Sequence, residues 1–148
     1  MLKKLGSKLK EQKGFTLVEL LAVIVILGII AAIAIPAIGN VINNSKEKAA
    51  VQEGLQIINA AKYYVSDVNP DAAELALLGT KATGLDKAKL APYLDRVEDD
   101  GFTVTIDSTT TAGKLTYLIV DHESNVVVNG SVDDKDVEIA EQELVDWE

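Results

Sequence analysis

Between Phe15 and Ile38 the chain carries fifteen large apolar side chains, and from Leu20 to Ser45 it has no charged residue. Twenty such residues in a helix, at ~1.5 Å each, span the ~30 Å of bilayer hydrocarbon. The run is apolar on every side rather than striped, so a helix there needs apolar neighbours all round. In water, those side chains would cost about 20–45 kcal/mol at roughly 1.5–3 kcal/mol each. A small domain has only about 5–15 kcal/mol of net stability to set against that. Lipid or other protein must therefore surround the run. After Pro36 the pattern changes. Ile38, Val41, Ile42, Ala49, Leu55, Ile58, Ala61 and Val65 recur mostly three, four or seven apart with polar residues between them, which predicts a one-faced helix on a globular core. As one helix over about residues 16–66, the two halves would be about 75 Å long, more than a small head can cover. Pro36 has no N–H to donate and predicts a kink or loosening near Ala32, with Gly28 and Gly39 as further weak points.

Further along, Asn69-Pro70-Asp71 reads as a cap and proline opening a short helix over Ala72–Leu78, stopped by Gly79. A second short helix is predicted over Asp86–Ala91, broken by Pro92. From Phe102 the period becomes two: Phe102–Ile106 alternates, Leu115–Val120 is rich in β-formers, and the polar stretch Ser108–Gly113 joins them. His122–Asn125 reads as a turn into a strand at Val126–Val128, and Asn129-Gly130 as a tight hairpin into Ser131-Val132. The fold class expected is α+β: a long N-terminal helix, apolar stem plus amphipathic half, packed on a small antiparallel β-sheet of three or four strands. In the tail 133–148, Val137, Ala140, Leu144 and Trp147 suit a helix face while the many acids oppose one, so its structure stays open.

Charge adds an orientation. Residues 1–14 hold five lysines against Glu11, a local net of +4; the chain totals −9, which leaves −13 for the rest. So acidic a body repels phosphates and argues against nucleic-acid binding by the head. Lysines ahead of an apolar run orient a membrane segment with its N-terminus inside. At 148 residues there is room for one domain and an appendage. The lack of cysteine excludes disulfides and thiolate metal sites. His122, the single histidine, falls in the predicted turn with no nucleophile pattern beside it and reads as a solvated residue. Asp133, Asp134 and Asp136, with Glu138, are weak calcium candidates; EF-hand spacing is absent and a solvated acidic surface is the favoured reading. Asn43-Asn44-Ser45 and Asn129-Gly130-Ser131 match a glycosylation triplet. No enzymatic activity, cofactor or resident metal is expected.

Glu19 is the one charge within the apolar stretch, five residues after Gly14. A carboxylate in hydrocarbon costs about 2.5–3.5 kcal/mol and usually has a partner. Cutting the chain after Gly14 would create an α-amino group on Phe15, four residues before Glu19 on the same helix face. That cation could pair with Glu19 of the same or a neighbouring chain; alternatively, Glu19 snorkels to the membrane interface.

Lys13-Gly14-Phe15-Thr16-Leu17-Val18-Glu19-Leu20-Leu21, followed by Gly28-Ile29-Ile30-Ala31-Ala32-Ile33-Ala34-Ile35-Pro36, closely resembles the type IV prepilin signature shared by type IV pilins and pseudopilins. The resemblance covers about residues 13–40. It implies a basic leader, 1–14, removed by a prepilin peptidase between Gly14 and Phe15, with methylation of the new Phe15 amine. It also implies a transmembrane and filament-core helix over 15–39 that loosens around Gly28 and Pro36, and a head over 40–148. Glu19, with Thr16, would set register between subunits. The implied partners are further copies in a helical filament, the peptidase, an inner-membrane platform protein, an assembly ATPase, minor pilins, and membrane lipid before assembly. The implied location is the cytoplasmic membrane, then a surface pilus. The alternative within the resemblance is a pseudopilin of a type II secretion or DNA-uptake system. A bitopic membrane protein with a ligand-binding head would remain uncut and monomeric. An ordinary secretory signal peptide would be cut beyond its apolar region, at Ala32-Ile33-Ala34.

Overall fold

The computed structural model describes residues 15–111, 114–131, 133 and 135–147. The leader 1–14, with Gly14, lies outside the described residues, as do Val132 and Asp134. The chain divides into two compact units, Met1–Asn43 and Asn44–Glu148. One helix, α1 (Leu17–Val68), contributes to both.

In the first unit every one of the fifteen large apolar side chains from Phe15 to Ile38 is exposed, from 48% at Val23 to 86% at Leu17. Among the described residues α1 is the one helix long and apolar enough to cross a membrane.

The second unit is the head. Its part of α1 buries Ala50, Val51, Gly54, Ile57, Ile58, Ala60 and Ala61, a recurrence of three and four that marks one helix face. The face is rotated from the sequence expectation. Ile58 and Ala61 are buried as foreseen, but Ala49 is exposed, and Ile38, Val41 and Ile42 are exposed members of the first unit. Small residues caused the misreading: Ala50 and Gly54 add little hydrophobic signal, yet both are buried, and Gly54 lets Ser124 approach the helix axis. A Cβ on Gly54 would lie 2.7 Å from Ser124 Oγ and 3.1 Å from Ser124 Cβ.

After α1 come α2 (Ala72–Leu77), β1 (Leu85–Asp86), α3 (Lys87–Leu90) with a 3₁₀ turn at Ala91–Tyr93, β2 (Thr103–Thr111), β3 (Lys114–Val120), α4 (Glu123–Asn129), β4 (Ile139–Ala140) and α5 (Glu141–Val145). Asp71 caps α2 by accepting from the amides of Ala73 and Glu74, and Glu74 returns the bond to the Asp71 amide. The four strands form one antiparallel sheet in the order β1-β2-β3-β4. Register places Leu85 against Val104, Val104 against Ile119 and Ile119 against Ile139. These four side chains form a row across the whole sheet, each at most 1% exposed. Phe102, Val104 and Ile106 share a face by period two, and all join one core with Ile57, Ile58 and Ala61 of α1. The stretch 108–113, read as a loop, is strand as far as Thr111; the β2–β3 pairing is irregular between Asp107 and Thr111.

Beyond β3 the structure corrects the sequence reading. Val126–Val128 is not a strand and Asn129-Gly130 is not a hairpin: both belong to α4 and its end. Gly130 adopts the left-handed conformation (φ 78°), and its amide donates to Val126 O at 2.9 Å. That is a helix C-cap, which asks for the same positive φ as a hairpin turn. Polar burial decides between them. Asn125 is fully buried and its amide donates to Ile119 O (2.8 Å) and Val137 O (2.6 Å), tying the end of β3 to the segment before β4. In the open tail, Ile139–Ala140 supplies the fourth strand and Leu144 of α5 is buried. Lys62 of α1 pairs with Glu141 of α5.

His122 is likewise corrected: it is fully buried, not solvated. It is the N-cap of α4, its Nδ1 accepting from Ser124 N at 3.1 Å and lying 2.8 Å from Ser124 Oγ. Its ring meets Phe102 edge-on, centroids 6.3 Å apart. An accepting Nδ1 fixes the neutral imidazole with its proton on Nε2. Burial pushes the His122 pKa below 6.5, opposed by Asp99, Glu53 and Glu123 and reinforced by Lys135. Burial also works to raise Asp99, but the Gly101 amide at 2.8 Å and Lys135 hold it below 3.8. Of the calcium candidates, Asp133 and Asp136 are exposed and Asp134 lies outside the described residues; among the described residues no group of three or more metal-ligating side chains comes together.

Two outcomes follow from this packing. Gly54→Val should destabilise the head by about 2 kcal/mol through overpacking against Ser124, read as a lower thermal midpoint of the detergent-solubilised chain. Because neutral His122 is the folded form, its contribution is fully present above pH 6.5 and is lost as the pH falls below that value. Protonated Nδ1 would face the Ser124 N–H, donor against donor. The midpoint should therefore fall below pH 6.5, whereas His122→Asn, which retains a capping oxygen, should flatten that step. Asp99, held below 3.8, contributes stability that is present above that value and is lost only as the pH falls beneath it.

Candidate functional site

The sequence points to the start of the stem, and the structure gives its local geometry. Thr16 precedes α1 and Glu19 lies in its first turn. Glu19 Oε2 accepts from Thr16 N at 2.8 Å and from Thr16 Oγ1 at 2.9 Å; Thr16 Oγ1 accepts from Glu19 N at 3.2 Å. Leu20 N donates to Thr16 O at 3.1 Å, closing the first turn. This is a reciprocal capping box: two backbone donors that an α-helix leaves without partners are satisfied by side chains of the same turn. In hydrocarbon no water can perform that task. The Thr-x-x-Glu spacing of Thr16 and Glu19 was the signal in the sequence; Glu19 was weighed there as a charge seeking a cation, and its capping role was missed.

Phe15 is 79% exposed. Downstream, α1 runs unbroken through Gly28 and Pro36. A Cβ at Gly28 or Gly39 would meet nothing within 4 Å, so neither glycine serves a close approach within the chain. Pro36 still withholds the donor that the Ala32 carbonyl would otherwise receive, so the proline marks the weakest backbone bonding of the stem without interrupting it.

A bilayer-length apolar helix with a self-satisfied first turn is built to be buried among lipids or other chains, and the α+β head is what it carries. In class, this is a structural subunit with a helical stem.

Comparison with known proteins narrows the class. Residues 9–35 match the family described as the Prokaryotic N-terminal methylation motif. Over 113 residues the chain is 34% identical to a fimbrial protein of Pseudomonas aeruginosa, covering 72% of this chain and 71% of the relative. It is 39% identical over 97 residues to fimbrial protein Q of Moraxella bovis, covering 66% and 52%. It is also 38% identical over 84 residues to a type IV major fimbrial protein FimA of Dichelobacter nodosus, covering 54% and 49%. No solved structure matches. The chain belongs to the type IV pilins, and it is a structural subunit of that family; the pseudopilin alternative is not favoured by these relatives.

Proposed function

We propose that the chain is made as a prepilin, cut between Gly14 and Phe15 by a prepilin peptidase, and methylated on the new Phe15 amine. Before assembly, residues 15–39 cross the cytoplasmic membrane with the N-terminus inside. A platform protein and an assembly ATPase then draw subunits into a helical surface pilus, in which sister stems replace lipid. The observation that carries this reading is the stem itself, with fifteen large apolar side chains and every one exposed. Thr16 and Glu19 have two tasks: capping the helix, and setting register as the Glu19 carboxylate meets a neighbour's Phe15 amine. Loosening between Gly28 and Pro36 belongs to the assembled state, where neighbouring helices can repair the freed backbone groups.

The two tasks of Glu19 separate by substitution. Glu19→Gln keeps a capping oxygen and removes the charge. It should insert normally yet lower filament yield by about tenfold or more, the factor carried by ~1.4 kcal/mol per contact. Normal yield from Glu19→Gln would refute the register role. Mass spectrometry of sheared wild-type filaments should show loss of residues 1–14 and gain of one methyl group; an intact leader in filaments would refute the processing.

A further inference from the structure

His122 is the chain's single histidine, and it is sealed in the head with no exposed surface. Its Nδ1 is engaged in the α4 cap, so the proton of the neutral ring sits on Nε2. Among the described residues that nitrogen is buried without a hydrogen-bond partner, and so is Asp99 Oδ2. Buried polar atoms of this kind are rare and call for an explanation. Asp99 is the strongest of the charges acting on the ring, and the ring in turn acts on Asp99. Donor and acceptor are therefore neighbours that do not bond.

Lys135 explains why they stay apart. Its ammonium lies 3.4 Å from Asp99 Oδ2, and its side chain is 43% exposed against 14% for Asp99. The other carboxylate oxygen, Oδ1, accepts from Gly101 N at 2.8 Å. Backbone thus holds Asp99 on one side, and a cation reaching in from the surface holds it on the other. A neutral N–H competes poorly with an ammonium group for a carboxylate. An imidazolium N–H competes well, because its bond is charge-assisted and shielded from water. Glu53 of α1 and Glu123 of α4 also favour the imidazolium, while Lys135 opposes it. The Ser124 hydroxyl, 2.8 Å from Nδ1, can accept from a protonated Nδ1, so the group that protonation leaves unpaired is the Ser124 amide.

We propose that His122, Asp99 and Lys135 form an acid-operated latch, in which a proton on His122 transfers Asp99 from Lys135 to the ring. At neutral pH Lys135 pins the segment ahead of β4 to Asp99. In acid it is released into a groove of about 340 Å³ that it borders with Glu47 and Glu123, whose carboxylates are its next partners. The segment itself stays tied, by Asp121 N donating to Lys135 O at 2.7 Å and by Asn125 donating to Val137 O. The exchange therefore moves a side chain and keeps the fold. Every member of the latch belongs to the head, so it stands independently of the reading of the stem.

A single histidine titrates without overlap in NMR spectra of the detergent-solubilised chain. Lys135→Gln should raise the His122 midpoint by about one pH unit, a tenfold gain in proton affinity, since Asp99 is then free for the ring. Asp99→Asn should lower the midpoint by about as much. Direct repulsion between Lys135 and His122 would also produce the first result, so the double variant decides. In the Asp99→Asn background, Lys135→Gln should move the midpoint by less than about a third of its effect in the wild-type chain. An equal shift in both backgrounds overturns the latch, as does an unchanged midpoint in either single variant. If Asp99→Asn does not fold, reductive methylation of the wild-type chain supplies the decision. The reactivity of Lys135 relative to exposed Lys114 should be severalfold higher at about pH 5 than at about pH 7.5; a constant ratio overturns the proposal.

Discussion

Apolar surface without a partner governs this protein. Fifteen large side chains between Phe15 and Ile38 are 48% exposed or more, and the free energy of leaving them in water exceeds what a small domain can offset. Whatever stabilises the stem comes from outside the chain. That demand explains why the first turn satisfies itself: in hydrocarbon an unpaired amide costs several kcal/mol, and Thr16 with Glu19 removes two such amides through bonds of 2.8–3.2 Å. It also fits the proline at Pro36, since a helix with apolar neighbours all round can have a freed carbonyl repaired by them.

The head meets a different constraint. It has to bury enough of its own surface to fold alone, with a sheet whose outer members, Leu85–Asp86 and Ile139–Ala140, are two residues each. The row Leu85, Val104, Ile119 and Ile139 packs into the same core as Ile57 and Ile58, while Gly54 lets Ser124 come close to α1. Short edge strands also expose few unpaired backbone groups, which limits pairing between the sheets of crowded copies.

What could be read from the sequence followed the strength of its periodic signals. The stem, the long helix, the short helix α2 and the strands at Phe102–Ile106 and Leu115–Val120 carry strong periods or breakers, and all appear, though the cap of α2 is Asp71 and not Asn69. The reading failed where one local signal serves two structures. Asn129-Gly130 supplies positive φ to a hairpin or to a helix end, and only the buried amide of Asn125 selects the helix. His122 resembled a turn residue because its burial depends on contacts such as Phe102, distant in sequence. The head face of α1 was misplaced because Ala50 and Gly54, both buried, carry little hydrophobic signal. At the site, the capping bonds of Glu19 with Thr16 were overlooked because a charge in an apolar run draws attention to cations first.

The capping box bears on how Glu19 could serve assembly. A carboxylate has roughly four acceptor directions, and the box uses Oε2 for both bonds from Thr16. The cap therefore orients the carboxylate without consuming its charge, and it keeps the group at the stem's first turn before any neighbour arrives. Preorganisation of this kind lowers the entropy a later contact must supply. An ammonium group reaching that turn would meet a carboxylate already fixed in place, and a subunit one residue out of register would leave that charge buried without a cation. Register would thus be enforced chiefly by the cost of mismatch, with the pair itself adding a smaller net gain because two charges must be desolvated to form it.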